Sequence, residues 1–176
     1  MKNIYVLTGM SGVGKTTIIN ELAKTGLFIY PKMYTTRPIR EQINDGKIHV
    51  KEEDYENISS KVVEFCYNQY KYAITDEEVQ KSNIFDLAPS GFRSLQENYN
   101  GSKRIVLIYI WIDERERINR MKKREENEQN ILSRLEYEKL EYNNIEEIVD
   151  YSVINDSLRD CIDKIMEIIK LNEDYE

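Results

Sequence analysis

The chain has 176 residues, 40% of them hydrophobic and 32% charged, with a formal net charge of −7. This length suits one well-buried domain, and the balance of apolar and charged residues excludes a disordered chain. The acidic charge argues against general nucleic-acid binding, and the longest apolar run, residues 105–112, is too short to cross a membrane.

In chain order, Ile4–Thr8 reads as a buried strand that leads directly into a glycine-rich loop, leaving no room for a signal peptide. A helix over 16–24 follows, with Ile18, Ile19 and Leu22 inward and Gly26 as its stop; a short strand over 27–30 ends at Pro31. From 34 to 72 the pattern changes to short β-like pieces (47–50, 62–65 and 70–73) around one helix, 52–60, as expected of a small inserted unit of mixed structure. Residues 83–87 form another strand with a helix from about 91 to 99 after it, and 104–112 is a continuous apolar strand of the kind buried on both faces of a parallel sheet. A helix from 114 to about 124 includes six basic residues in the ten from Arg115 to Arg124, a run that is either a solvated face or a local anion site. The polar segment 125–129 separates it from a long helix carrying Ile131, Leu132, Leu135 and Leu140. A last strand, 152–154, precedes a terminal amphipathic helix over 158–171. Strands alternating with helices give an α/β fold with a parallel sheet. The two cysteines, Cys66 and Cys161, match no metal spacing and are expected to be buried free thiols in a reducing, cytoplasmic setting.

The loop LTGMSGVGKTT, residues 7–17, matches G-x-x-x-x-G-K-[ST] at Gly9, Gly14, Lys15 and Thr16. Glycines let the backbone wrap a polyphosphate with N–H groups pointing inward, and the helix that follows opens with unsatisfied N–H groups and a partial positive charge. Ser11, Gly12, Val13, Gly14, Lys15, Thr16 and Thr17 are therefore candidate ATP ligands, with Lys15 for the β- and γ-phosphates and the Thr16 hydroxyl for Mg²⁺. Motor ATPases, GTPases and small-molecule kinases all use such a loop, so the reaction must be read elsewhere. In YTTRPIREQINDGKIHV, residues 34–50, Arg37 and Arg40 sit beside Pro38, and arginine's planar fork suits bidentate binding of phosphate.

This segment resembles the TTRxPRxxExxGxxY signature of the guanylate kinase family, and the likeness extends over nearly the whole chain. VVEFCYNQYKYA, residues 62–73, is similar to the family stretch in which a glutamate and a later tyrosine bind the acceptor nucleotide, with Glu64 and Tyr72 in those places. RINRMKKREENEQNILSRL, residues 117–135, resembles the family lid; Arg120, Arg124 and Arg134 fall on arginines that close over the transferring phosphates. DYSVINDSL, residues 150–158, resembles the family ending, which adds Asn155 to the ATP site. The resemblance implies a three-layer P-loop kinase fold with a parallel sheet: a core of 1–33, 83–119 and 136–176, a small mixed acceptor-binding insertion over 34–82, and a helical lid over 120–135. It further implies transfer of the γ-phosphate of ATP, with Mg²⁺, to a small phosphorylated acceptor, GMP or dGMP first. Lys15, Arg37, Arg124 and Arg134 would be catalytic, Arg120 would support ATP, and Arg37, Arg40, His49, Glu64, Tyr72 and Asp86 would form the acceptor site. Asp86, at a strand end, is also placed to orient Mg²⁺-bound water.

The base-reading positions depart from the family pattern. Met33 stands where the family has a serine, His49 where it has a tyrosine, and Ala73-Ile74 remove the later hydroxyl of YGxS. Residues 85–91 keep one aspartate of the two in LDIDxQG, and the connection from Tyr72 to Asp86 is several residues short. Phosphate-handling residues are retained while base-reading ones are eroded, which predicts relaxed base selectivity. His49 in GKIH also resembles a segment of ribose 1,5-bisphosphate phosphokinase, so a sugar phosphate is the alternative acceptor. A non-catalytic guanylate-kinase-like binding module would have no need of Lys15, Thr16 and the lid arginines, all of which are present.

Overall fold

A computed structural model of the chain describes residues 1–39, 46–123 and 127–174. Its elements in chain order are β1 (Ile4–Thr8), α1 (Lys15–Ala23), β2 (Tyr34–Thr35), β3 (Ile48–His49), α2 (Glu52–Glu56), β4 (Lys61–Tyr67), β5 (Tyr70–Thr75), α3 (Asp76–Lys81), β6 (Ile84–Asp86), α4 (Pro89–Asn98), β7 (Ile105–Trp111), α5 (Glu114–Lys122), α6 (Glu128–Glu141), β8 (Tyr151–Ile154) and α7 (Leu158–Asp174), with a 3₁₀ turn at Ile145–Glu147.

β1 is buried at all five positions, so both of its faces must be covered. It lies between β6 and β7, and β8 completes an all-parallel sheet in the order β6-β1-β7-β8. Strand alternation sends Tyr5, Leu7, Val106, Ile108 and Ile110 to one face, where they meet Ile18, Ile19 and Leu22 of α1 and Cys161, Ile165, Ile168 and Ile169 of α7. Ile4, Val6, Phe85 and Leu107 point to the other face, against Phe92 and Leu95 of α4 and Val63, Phe65, Tyr72 and Ile74 of a second sheet. That second sheet is mixed, in the order β3-β2-β5-β4, with β5 antiparallel to both its neighbours. Asn68 and Gln69, with φ of 44° and 67°, make the tight turn between β4 and β5 that two left-handed residues allow.

Three expectations are corrected: the strand over 27–30, the end of the helix at 60 and the burial of Cys66. No strand forms over 27–30; the Asn83 side chain accepts from the Ile29 N–H at 2.8 Å and donates to the Leu27 carbonyl at 2.9 Å. Among the described residues the only backbone pairing to the neighbouring strand is at the Ile29 carbonyl, which accepts from the Asn83 N–H at 3.0 Å and the Ile84 N–H at 3.4 Å. The helix expected to run to 60 ends at Glu56, followed by Ser60 in the left-handed region with φ of 56°. On α6 the apolar residues do not define the buried face: Leu132 and Leu140 are 55% and 82% exposed, whereas Ile131 and Glu138 are buried. Cys66 is exposed because it alternates with Phe65 and Tyr67 along β4, while Cys161 is buried and its thiol is pushed up to about 11 by that burial. Among the described residues no helix is long and apolar enough to cross a membrane.

These placements give a direct test by urea unfolding. Ile165→Ala, which empties a fully buried position under the parallel sheet, should lower the unfolding free energy by about 2–5 kcal/mol. Leu132→Ala, on the exposed side of α6, should change it by less than about 0.5 kcal/mol.

Candidate active site

The loop between β1 and α1 emerges at the C-terminal edge of the parallel sheet, where ligands of open α/β sheets bind. Gly12 and Gly14 adopt φ of 87° and 101°, and a Cβ on Gly12 would stand 2.6 Å from the Arg117 carbonyl oxygen. The loop can therefore pass this close to α5 only with glycine there. α1 has neither a side-chain cap nor an acidic residue in its first turn, which leaves its N-terminal N–H groups and dipole to an anion. Lys15 Nζ donates to the Gly9 carbonyl and lies 3.9 Å from Asp86 Oδ1 at the end of β6. The buried Tyr142 hydroxyl donates to the same carbonyl at 2.7 Å. Behind the loop, Asn155 Nδ2 donates to the Val13 carbonyl at 2.6 Å, and Arg120 Nη2 donates to the Asn155 carbonyl at 3.1 Å. Asn155 and Arg120 thus brace the loop, Val13 is buried beneath it, and Thr17 is exposed on α1.

A cavity of about 180 Å³ separates this loop from the second sheet. Ser11, Gly12, Gly14, Lys15 and Thr16 line one side; Arg37, Lys47, Phe65, Tyr67, Asn68, Tyr70 and Tyr72 line the other, with Met33, Asp86, Ala88 and Arg134 between. Lys15, Thr16, Arg37, Tyr72, Asp86 and Arg134, all singled out from sequence, converge here. Arg40 and Arg124 lie outside the described residues. His49 stands one step back: its Nδ1 meets the Arg37 carbonyl at 2.6 Å, which requires the proton on Nδ1 and holds the arginine's backbone.

Glu64 does not join them. Cross-strand pairing sets Glu64 opposite Ala73 and Phe65 opposite Tyr72, so the pleat sends Glu64 and Tyr72 to opposite faces. The Glu64 carboxylate is half exposed and pairs with Lys61 at 3.1 Å, while Tyr72 is buried and stacks on Phe65 with centroids 5.1 Å apart.

The sequence reading missed the group beneath the loop. Glu138 of α6 is 0% exposed, and its Oε2 accepts from Arg117 Nη1 at 2.6 Å. Its Oε1 accepts from both the Ser11 N–H and the Tyr67 hydroxyl, each at 2.6 Å. Arg117 Nη1 also donates to the Ser11 carbonyl at 3.1 Å. Burial alone would push the Glu138 carboxyl up, but the bonds from Ser11 and Tyr67 and the adjoining guanidinium outweigh it and hold the carboxyl below its ordinary range. The available signal was position: Glu138 lies seven residues after Ile131, on the same helical stripe as the one fully inward aliphatic residue.

Among the described residues no cluster of three or more His, Cys, Asp or Glu could hold a metal ion by itself. The Thr16 hydroxyl and the Asp86 carboxylate nevertheless offer oxygen donors on one cavity. That sparse set fits Mg²⁺, which takes one or two protein oxygens and completes its shell with phosphate oxygens and water.

The profile of the guanylate kinase family matches residues 1–172. The chain belongs to the guanylate kinase family. Among its relatives, the guanylate kinase of Thermotoga maritima is 29% identical over 95% of this chain and 86% of its own. That of Mycoplasma genitalium is 31% identical over 94% of this chain and 74% of its own. The crystal structure of guanylate kinase from Anaplasma phagocytophilum shares the fold, with a TM-score of 0.71 at 18% identity over 97% of this chain and 85% of that one. The protein is accordingly an ATP-dependent phosphotransferase of the nucleoside monophosphate kinase type, and ATP and Mg²⁺ are its cofactors.

The lowered Glu138 carboxyl fixes the sign of a pH effect. Its contribution to stability is complete above the ordinary value of 4.5 and is lost as pH falls through the lower folded value. The urea midpoint of the wild-type chain should therefore fall more steeply between about pH 5 and pH 3 than that of Glu138→Gln.

Proposed function

We propose that this enzyme transfers the γ-phosphate of ATP to GMP or dGMP, with a weaker preference for guanine than its relatives' name implies. The observation that carries this reading is the cavity itself, which the nucleotide loop and the Arg37–Tyr72 wall share as opposite faces. Transfer between two phosphates needs no general base, because the attacking oxygen is already ionised near neutral pH. What it needs is two polyanions held in line with their charge neutralised.

Lys15 would neutralise the β- and γ-phosphates from the loop side, and the loop N–H groups would hold the rest of the chain of phosphates. Arg37, its backbone fixed by His49, would grip the acceptor phosphate, together with Arg40. Arg134, already on the cavity wall, and Arg120, beside the loop, would with Arg124 neutralise the transferring phosphates, and closure of a lid over 120–135 would exclude water that would otherwise hydrolyse ATP. Thr16 and Asp86 would hold Mg²⁺, which supplies further neutralisation of the transferring group. Phe65 and Tyr72 would offer a stacking surface to the acceptor base. Met33 and Ala88 line the cavity, so the polar groups that the family places there are missing from the wall, whereas Ala73 and Ile74 are buried. A wall with fewer fixed donors and acceptors discriminates less among bases. We place the reaction in the cytoplasm, in keeping with two free thiols and no disulfide among the described residues.

Coupled measurement of ADP formation with GMP, dGMP, AMP, dTMP and ribose 1,5-bisphosphate tests this. GMP or dGMP should give the highest kcat/KM, by less than about a thousandfold, or 4 kcal/mol, over the next base. A clear preference for the sugar phosphate would overturn the acceptor assignment. Lys15→Ala should lower turnover by at least about a hundredfold with the far-UV dichroism unchanged.

A further inference from the structure

We propose that Tyr67 and Glu138 form a strap across the cleft, so that occupancy of the nucleotide loop is felt at the β4–β5 hairpin on the far side. The strap rests on the nucleotide-loop reading of the cavity but not on the identity of the acceptor.

One buried carboxylate oxygen serves two parts of the chain on opposite sides of the cleft. Glu138 Oε1 accepts at 2.6 Å from the N–H of Ser11, in the loop, and at 2.6 Å from the hydroxyl of Tyr67, at the end of β4. Glu138 Oε2 is tied at 2.6 Å to Arg117, which leaves the carboxylate little freedom to satisfy either donor alone. The preceding residue of α6 strengthens the same grip. Tyr137 meets the Tyr67 ring edge-on at 4.9 Å, and its hydroxyl donates to the Cys66 carbonyl at 3.1 Å. One turn earlier on the helix, Arg134 lines the cavity. One turn later, Glu141 accepts from the Ser90 N–H of α4 at 2.7 Å. α6 is thus the element on which the loop, the hairpin and Arg134 keep register.

Glu138 and Tyr67 act as positioning residues. A phosphate drawn into the loop must shift or fix the Ser11 N–H. That change reaches the acceptor atom that Tyr67 shares, so the hairpin either follows or leaves a half-buried hydroxyl without its bond. Tyr67 also lines the cavity, so the hairpin's position sets the space open to an acceptor.

Hydrogen–deuterium exchange on the full chain, with and without Mg²⁺ and the non-hydrolysable β,γ-imido analogue of ATP, tests the strap without any acceptor. In the wild-type chain the analogue should slow exchange over residues 9–17, and over 61–75 by at least about threefold. In Tyr67→Phe the loop should remain protected while the response of 61–75 is lost. An unresponsive hairpin in the wild-type chain, or a response that persists in Tyr67→Phe, would overturn the strap. An unprotected loop in the wild-type chain would instead overturn the nucleotide-site reading beneath it. Should Tyr67→Phe fail to fold, Tyr137→Phe, which keeps the ring contact but removes the hydroxyl that bonds the Cys66 carbonyl and Glu141, should weaken the hairpin's response, and an unchanged response would count against the strap.

Discussion

The carboxylate of Glu138 is the interaction on which the site depends. A fully buried charge costs several kcal/mol unless it is paired and its lone pairs are satisfied. Here Arg117, the Ser11 N–H and the Tyr67 hydroxyl all converge on it. Those donors come from three separate parts of the chain: α5, the nucleotide loop and the second sheet. Satisfying one buried group therefore fixes the mutual position of all three. The basic run of α5 is divided by the same event, since Arg117 turns inward while Lys122 stays on the surface.

The cleft also resolves an electrostatic puzzle. An enzyme with a net charge of −7 has to draw two polyanions together. Its cavity brings Lys15, Arg37, Lys47 and Arg134 to one place against the single carboxylate of Asp86 among the described lining residues. Charges of one sign gathered in a low-dielectric cleft act on a ligand more strongly than the same charges spread over a wet surface. The acidic remainder of the surface is then no obstacle to binding, and it discourages nonspecific contact with nucleic acid.

Much of this was legible in the sequence because the signals were local. The run 105–112 reads as a sheet strand, and Ile105–Trp111 forms one whose middle is buried while Trp111 at its end is exposed; the glycine loop carries its geometry in its residue types. Arg37 was legible for the same reason. Glu64 was not, because its facing depends on which residue of β5 it opposes, and a one-residue difference in register reverses a side chain. The segment 27–30 failed through competition: a distant asparagine side chain satisfied backbone groups that a ladder would have paired. Glu138 was hidden most deeply. Charged residues on a helix read as solvent-facing, and only the tertiary meeting of α5, α6 and the loop makes this one a core residue.

The organising role of the buried pair is measured most directly by a double-mutant cycle in urea unfolding with Arg117→Met, Glu138→Leu and the two together. Each single substitution strands a charge or leaves buried donors unpaired and should cost about 3–5 kcal/mol. The double variant should be more stable than the sum of the two by a coupling of at least about 2 kcal/mol. Costs that simply add would contradict a cleft built around this pair.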